Sequence, residues 1–153
     1  MMRAFIGLAI PPELRPGIAA VQEELRTCLP KRAAKWSPAQ QWHLTIHFLG
    51  ETKTESFPVL TRILAEVCRR HPPFALEFTR LGAFPNPDNP RVLWLGIAKT
   101  PALDRFQAEA SEAIGLFGSY GESRTYHPHI TLARPRSPDQ PTVDSLRRRL
   151  ADA

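Results

Sequence analysis

Two short stretches of the sequence have the clearest β-strand pattern and contain most of the residues that suit catalysis. Residues 42–50 read WHLTIHFLG, and residues 126–134 read YHPHITLAR. Apolar and polar residues alternate in both stretches, which is the pattern of a half-buried β-strand because successive side chains point to opposite faces. Each stretch contains a His-x-Thr triplet, and together they hold four of the five histidines of the chain.

Alternation assigns the side chains of each predicted strand to two faces. The apolar face holds Leu44, Ile46 and Phe48 in the first strand, and Ile130 and Leu132 in the second. The polar face holds His43, Thr45 and His47 in the first strand, and His127, His129 and Thr131 in the second. If the two strands are neighbours, we expect two imidazoles and two hydroxyls to converge in one cleft.

Outward from these strands, helical and strand patterns are interspersed along the chain. Further strands are predicted at 3–10, 35–38 (a brief strand and turn), 74–79 and 92–98. Helical patterns begin at Pro12, near Thr54, at Thr100 and shortly before Val143. A turn-rich loop at 85–90 makes a hairpin of its two flanking strands, and another loop is predicted at 119–125. Mostly antiparallel strands with inserted helices indicate an α+β fold.

Composition excludes several classes of protein. The chain has 153 residues, of which 42% are hydrophobic and 23% charged, as in an ordinary globular domain rather than a disordered or collagen-like chain. Two cysteines, Cys28 and Cys68, have no metal or redox spacing and are expected to be buried free thiols. The net charge of +5 favours an anionic partner such as nucleic acid or a phosphorylated ligand.

The N-terminal apolar run is short and is not followed by a cleavage site. Seven residues, Ala4 to Ile10, cannot span a bilayer, and Pro11-Pro12-Glu13 follows where a signal peptide would need small residues. We therefore predict a buried first strand, no membrane association and a soluble, cytoplasmic protein.

Paired histidines and threonines suit phosphodiester chemistry without a metal. A neutral imidazole can take a proton from water while a protonated one gives a proton to the leaving oxygen. Threonine hydroxyls can donate to phosphate oxygens, and Arg134 can add positive charge as the phosphorane forms. On a strand, His43 and His47 lie about 13 Å apart, too far to share one ion. No acidic residue lies inside either motif, and His71 is expected to be an exposed helix-end residue.

The motifs resemble those of a known superfamily. His43-Leu44-Thr45-Ile46 and His129-Ile130-Thr131-Leu132 resemble the two H-x-T-x motifs of the 2H phosphoesterases, and their context resembles the LigT-like RNA 2′,3′-cyclic phosphodiesterases, also called 2′-5′ RNA ligases. The resemblance implies a bilobal α+β fold with pseudo-twofold symmetry, helices on the outer faces of two antiparallel sheets, and an active-site cleft between the lobes.

The resemblance also implies residue roles. His43 becomes the proton donor, His129 the proton acceptor, and Thr45 and Thr131 the phosphate ligands, with no metal and no cofactor. The implied reaction is hydrolysis of RNA 2′,3′-cyclic phosphate ends to 2′-phosphates, with RNA ends or related nucleotides as partners. Two alternatives stay open: another 2H activity, either on small cyclic nucleotides or as 2′-5′ ligation, and a non-catalytic RNA-binding domain. The strand aromatics, which have mainly core parity, disfavour the RNA-binding domain.

The C-terminus departs from the family pattern. Family members continue into a further β-hairpin, so residues 1–153 form either a shortened single bilobal domain or an incomplete one. We expect the strand around His129 and the hairpin at 74–98 to lack strand neighbours. An uncovered edge exposes unpaired backbone groups, so we expect self-association through the second lobe or a less ordered lobe.

Overall fold

Six strands and four helices make up the part of the chain that the computed structural model describes, residues 1–118 and 125–151. The strands are β1 (Met2–Ala9), β2 (Ala34–Trp36), β3 (His43–Thr52), β4 (Phe78–Asn86), β5 (Asn89–Ile97) and β6 (His129–Pro135). The helices are α1 (Arg15–Arg26), α2 (Phe57–Arg69), α3 (Pro101–Ile114) and α4 (Gln140–Ala151).

The strands form two antiparallel sheets. One sheet pairs β1 with β3, and the other has the strand order β2-β6-β5-β4. This arrangement, with helices inserted between the strands, confirms the predicted α+β class. The two His-x-Thr strands, β3 and β6, lie in different sheets, so they are not hydrogen-bonded neighbours.

The chain divides into two compact units. The first unit comprises Met1–Leu8, Thr45–Glu77 and Ala98–Pro128, and the second comprises Ala9–Leu44, Phe78–Ile97 and His129–Ala153. The boundary falls inside β3, immediately after Leu44, so His43 and His129 both belong to the second unit. The cleft between lobes that the family resemblance implies stays a prediction.

In the first unit, α2 and α3 pack together and cover an apolar cluster. The cluster is built on Leu49, Leu60 and Ile114, with Ile6 and Phe57 packed against it. Leu49 is buried where strict alternation predicts Phe48. Phe48 is instead half exposed and lies against Phe5 of β1, because the inside–outside alternation of β3 shifts by one residue after His47.

In the second unit, a buried side-chain amide of α1 forms hydrogen bonds to the backbone of β6 and of the segment that follows β2. The side-chain nitrogen of Gln22 donates to the carbonyls of Ser37 and Leu132, at 2.9 and 3.0 Å. Fully buried apolar side chains from α1, β5, β6 and α4 fill the core of the unit: Ile18, Leu25, Leu93, Ile130, Leu132 and Leu146. The predicted apolar stripe of α4 is therefore confirmed as core, and Asp139 caps this helix by accepting from the Thr142 N–H.

Several strand boundaries differ from the sequence prediction. β4 begins four residues later than predicted and continues through Pro85 to Asn86, so that only Pro87 and Asp88 turn the hairpin. The Asn86 side chain stabilises this turn by accepting from the N–H groups of Asp88 and Asn89. β6 begins at His129, after Pro128, rather than at residue 126.

The expected open edge at the His129 strand is wrong. β6 pairs with β5 on one side and with β2 on the other. Within the described residues, β2 and β4 have no second neighbour in this sheet. The two cysteines have free thiols but are not buried, since Cys28 is half-buried just after α1 and Cys68 is exposed on α2. No helix among the described residues has the length and apolar character needed to cross a bilayer.

Candidate active site

Cross-strand pairing in the second unit shows which side chains share a face with His129. Directly opposed residues of antiparallel strands point to the same side. The core face holds the buried pairs Leu93–Ala133 and Leu95–Ile130. The opposite, outer face therefore carries His129, paired with Gly96, and Thr131, paired with Trp94.

A β-bulge in β6 brings Arg134 to the same outer face. Leu93 pairs with Ala133 but the next residue, Trp94, pairs with Thr131, so Leu132 is an extra residue in β6. One extra residue reverses the alternation. Arg134, which strict alternation places opposite Thr131, therefore faces the same side as Thr131. It is exposed and pairs across the strands with Lys35 of β2, which is also exposed.

Two aromatic rings pack against the imidazole of His129. Phe84 contacts it edge-to-face, with ring centroids 4.9 Å apart, and Trp94 lies 6.2 Å away. The Phe84 and Trp94 rings contact each other at 5.0 Å. This packing restricts the rotation of the His129 side chain, which a proton-transfer group at a fixed position requires.

Two glycines make room for the indole of Trp94. A Cβ atom on Gly82 would stand 2.2 Å from two ring carbons of Trp94, and one on Gly96 would stand 3.1 Å from a third. Any side chain at Gly82 would therefore displace the ring. The indole nitrogen of Trp94 is buried, and no hydrogen-bond partner for it lies among the described residues.

A nearby backbone carbonyl determines which ring nitrogen of His43 carries a proton. Its Nδ1 lies 2.8 Å from the carbonyl oxygen of Gln41. A carbonyl only accepts, so Nδ1 carries a proton and donates it, and Nε2 is the nitrogen that gains or loses the second proton. The short turn Ala39–Gln41, immediately before β3, places this carbonyl.

Thr45 and Thr131 occupy matching positions two residues after each motif histidine. Both are half-buried and alternate with fully buried residues, Leu44 and Ile46 in β3 and Ile130 and Leu132 in β6. The backbone carbonyl of Thr45 accepts from the Tyr126 hydroxyl at 2.8 Å. Burial raises the pKa of Tyr126 well above its usual value, so this hydroxyl remains a donor.

The other three histidines have different surroundings. His47 bridges Ser111 Oγ and the carbonyl of Gly118, each at 3.0 Å, which ties β3 to the end of α3. His127 is exposed and precedes β6, so it does not share the strand face of His129 as predicted. His71 is half-buried rather than exposed, because it pairs with Glu109 and packs against Phe106.

The aromatic residues near His129 were misassigned from the sequence. Phe84 and Trp94 lie on the outer face with His129 and not on the core face, so the expectation of mainly core parity for strand aromatics is wrong here. Strand alternation places Trp94 on the same face of β5 as Val92 and Gly96. Whether that is the core face or the outer face depends on the pairing with β6, which the sequence does not show.

Among residues 1–118 and 125–151, no three His, Cys, Asp or Glu side chains cluster as metal ligands.

Comparison with known proteins places these features in a family. The model of the family described as LigT like Phosphoesterase matches residues 8–94 and 95–153. An RNA 2′,3′-cyclic phosphodiesterase of Bacillus subtilis (strain 168) is 35% identical over 85% of this chain and 69% of its own length. The enzyme of the same name from Aquifex aeolicus (strain VF5) is 29% identical over 97% of this chain and 79% of its own length.

Solved structures agree with the sequence matches. TT0787 of Thermus thermophilus has a TM-score of 0.80 at 30% identity, covering 90% of this chain and 76% of its own. E. coli LigT complexed with 3′-AMP has a TM-score of 0.68 at 26% identity, with the same coverage of both chains. With the family model matching nearly the whole length, this chain belongs to the LigT-like phosphoesterase family.

Proposed function

We propose that this protein hydrolyses RNA 2′,3′-cyclic phosphate ends to 2′-phosphates, using His43 and His129 as general acid and base. The observation that carries the proposal is the repeated motif: each histidine is the first residue of its strand, and a half-buried threonine follows two residues later. Relatives named RNA 2′,3′-cyclic phosphodiesterase and a related structure holding 3′-AMP support the substrate class.

In this mechanism, His129 takes a proton from the attacking water. The water oxygen bonds to phosphorus, and the bond from phosphorus to the 3′ oxygen breaks. His43, protonated on both ring nitrogens, gives its Nε2 proton to that leaving oxygen. The Gln41 carbonyl supports this role because it holds the Nδ1 proton in place while Nε2 exchanges.

Substrate binding is assigned to Thr45, Thr131 and Arg134. The threonine hydroxyls donate to non-bridging phosphate oxygens, and Arg134 supplies positive charge on the face that it shares with Thr131. The reaction as proposed needs no metal, because proton transfer and charge stabilisation are both supplied by side chains.

The test is a reaction of wild-type protein with an RNA oligonucleotide ending in a 2′,3′-cyclic phosphate, in EDTA. We expect conversion to the 2′-phosphate, identified by ³¹P NMR. Loss of turnover in EDTA with rescue by zinc or manganese would contradict the metal-free mechanism. An inert protein that still shifts RNA in a gel would favour a non-catalytic RNA-binding domain, and selective turnover of small cyclic nucleotides would favour another 2H activity.

A further inference from the structure

We propose that Tyr126 is a positioning residue, which holds the backbone of Thr45 in place so that the Thr45 hydroxyl meets the reacting phosphate. The proposal rests on the proposed function, because it takes Thr45 as a phosphate ligand. The Tyr126 hydroxyl donates to the carbonyl oxygen of Thr45 at 2.8 Å. Tyr126 needs no contact with the substrate, since it acts through the backbone of Thr45.

Two of the points at which the chain passes between its two units lie beside the motif histidines. One is the bond between Leu44 and Thr45, and the other is the bond between Pro128 and His129. Thr45 and Tyr126 both lie on the first-unit side of these points. Their hydrogen bond therefore joins, inside the first unit, the two chain segments that continue into the motif histidines. Pairing within a sheet does not make this connection, because β3 and β6 are not neighbouring strands.

The segment between Tyr126 and His129 is short and conformationally restricted. Pro128 is buried, and its ring fixes its own φ angle. A residue that precedes a proline is biased towards extended conformations, which restricts His127 as well. Three residues span at most about 11 Å, so a contact made by Tyr126 acts close to the start of β6.

Side chains of the first unit also hold the residues of β3 that follow Thr45. The carbonyl of Ile46 accepts from the side-chain nitrogen of Gln107 at 3.3 Å, and this nitrogen also donates to Ser111 Oγ at 2.9 Å. The Ser111 hydroxyl in turn contacts His47 Nδ1 at 3.0 Å. These contacts fix the strand just beyond the motif, and the contact at Thr45 adds the residue that carries the proposed phosphate-binding hydroxyl.

The Tyr126 hydroxyl suits a permanent contact. Burial raises the pKa of Tyr126, so the hydroxyl keeps its proton and remains a donor near neutral pH. Groups that bind a reacting phosphate must be held within about 0.5 Å of the productive position. Phenylalanine in place of Tyr126 keeps the ring and removes only this donor, so the substitution tests the hydrogen bond by itself.

The test compares wild type, Tyr126→Phe, Thr45→Val and the double variant on an RNA oligonucleotide ending in a 2′,3′-cyclic phosphate. We expect Tyr126→Phe to lower kcat about three- to tenfold, the equivalent of one ordinary hydrogen bond. We expect KM to change less than kcat, because charge on the phosphate oxygens grows in the transition state. In the Thr45→Val background, Tyr126→Phe should lower kcat no further, since the hydroxyl through which it acts is absent.

The matched control is Thr52→Val. The Thr52 hydroxyl also donates to a carbonyl of β3, that of Gly50 at 3.1 Å, but it lies away from both motifs. Thr52→Val should keep kcat close to that of wild type. Tyr126→Phe with wild-type kcat, or with the same loss in the presence and absence of the Thr45 hydroxyl, would overturn the positioning role. A loss of activity that follows only from unfolding, seen by circular dichroism at the assay temperature, would overturn it as well.

The two proposals fail in different ways. A wild type that cleaves cyclic-phosphate RNA, together with an equally active Tyr126→Phe, overturns the positioning role alone. If wild type cleaves no cyclic phosphate, the affinity for adenosine 2′-phosphate, measured by calorimetry, replaces kcat in the same comparison. A weaker affinity of Tyr126→Phe that disappears in the Thr45→Val background would then overturn the proposed function alone, and equal affinities would overturn both.

Discussion

His43 and His129 are held by different kinds of interaction, one polar and one aromatic. The Gln41 carbonyl fixes a proton on Nδ1 of His43, whereas Phe84 and Trp94 hold the ring of His129 by packing. If one imidazole must be protonated and the other neutral, activity depends on two ionisations with opposite effects.

The pH–rate profile should therefore be bell-shaped. Between pH 4 and pH 10, we expect kcat/KM to rise as the base loses its proton and to fall as the acid loses its own. Measurement in EDTA on a 2′,3′-cyclic nucleotide checks this. A profile with a single limb would show that only one of the two histidines takes part in proton transfer.

His47 should matter for stability rather than for catalysis. Its ring joins β3 to Ser111 and Gly118, so His47→Ala removes two hydrogen bonds worth about 0.5–1.5 kcal/mol each. We expect a lower midpoint of thermal unfolding with most of kcat retained. His127→Ala should likewise retain most of kcat, because His127 lies outside β6 and does not share the strand face of His129. A large fall in kcat for His47→Ala at unchanged stability would assign His47 to the chemistry.

At the level of elements, a local signal predicted the start of α3, whereas the sheet geometry was missed. Thr100 starts α3, and its hydroxyl accepts from the Leu103 N–H as a cap. Such signals are local, so the sequence reveals them. The bulge at Leu132 depends on pairing with β5, and the extension of β4 through Pro85 depends on β5 as well. Alternation of polar and apolar residues within one strand reveals neither feature. The predictions based on it therefore assigned Phe84, Trp94 and Arg134 to the wrong face of the sheet.

The packing of Trp94 against the His129 ring can be tested by a substitution at Gly82. Gly82→Ala places a methyl group inside the indole, and overpacking of this kind costs about 1–3 kcal/mol. We expect a displaced Trp94 ring, a changed ¹H–¹⁵N imidazole spectrum of His129 and reduced kcat. The control is Gly17→Ala on α1, where nothing lies within 4 Å, and it should leave the spectrum unchanged. An unaltered His129 spectrum in Gly82→Ala would contradict the claim that Trp94 holds the His129 ring in place.

The end of α2 is joined to α3 by an ionic contact that depends on pH. Hydrogen bonds from Arg70, and then from His71, hold the pKa of Glu109 below its usual value. A carboxylate with a lowered pKa stabilises the fold above its unfolded pKa of about 4.3, and this contribution is lost as pH falls through the folded value. Glu109→Gln should therefore lower the urea midpoint at pH 7 but not at pH 2.5. An equal loss at both pH values would contradict an ionic contribution.

For the whole molecule, the two-unit division places both motif histidines in the second unit and Thr45 in the first. This division could not be predicted from the motifs, since the boundary lies within β3. Self-association through the His129 unit stays a prediction, although its premise now applies to the edge strands β2 and β4 rather than to β6. The alternative prediction, a less ordered second unit, also stays open. Light scattering and hydrogen exchange check both, and a monomer with equal amide protection in the two units would contradict them.

In the proposed mechanism, His43 and His129 each transfer a proton in the same reaction. The most direct measurement is kcat/KM of wild type, His43→Ala and His129→Ala on a 2′,3′-cyclic phosphate RNA in EDTA, with circular dichroism to establish folding. Each histidine should contribute about 10² to 10⁴-fold, so both variants should lose at least about 10²-fold while keeping the wild-type spectrum. Near-wild-type turnover by either folded variant would contradict the two-histidine mechanism.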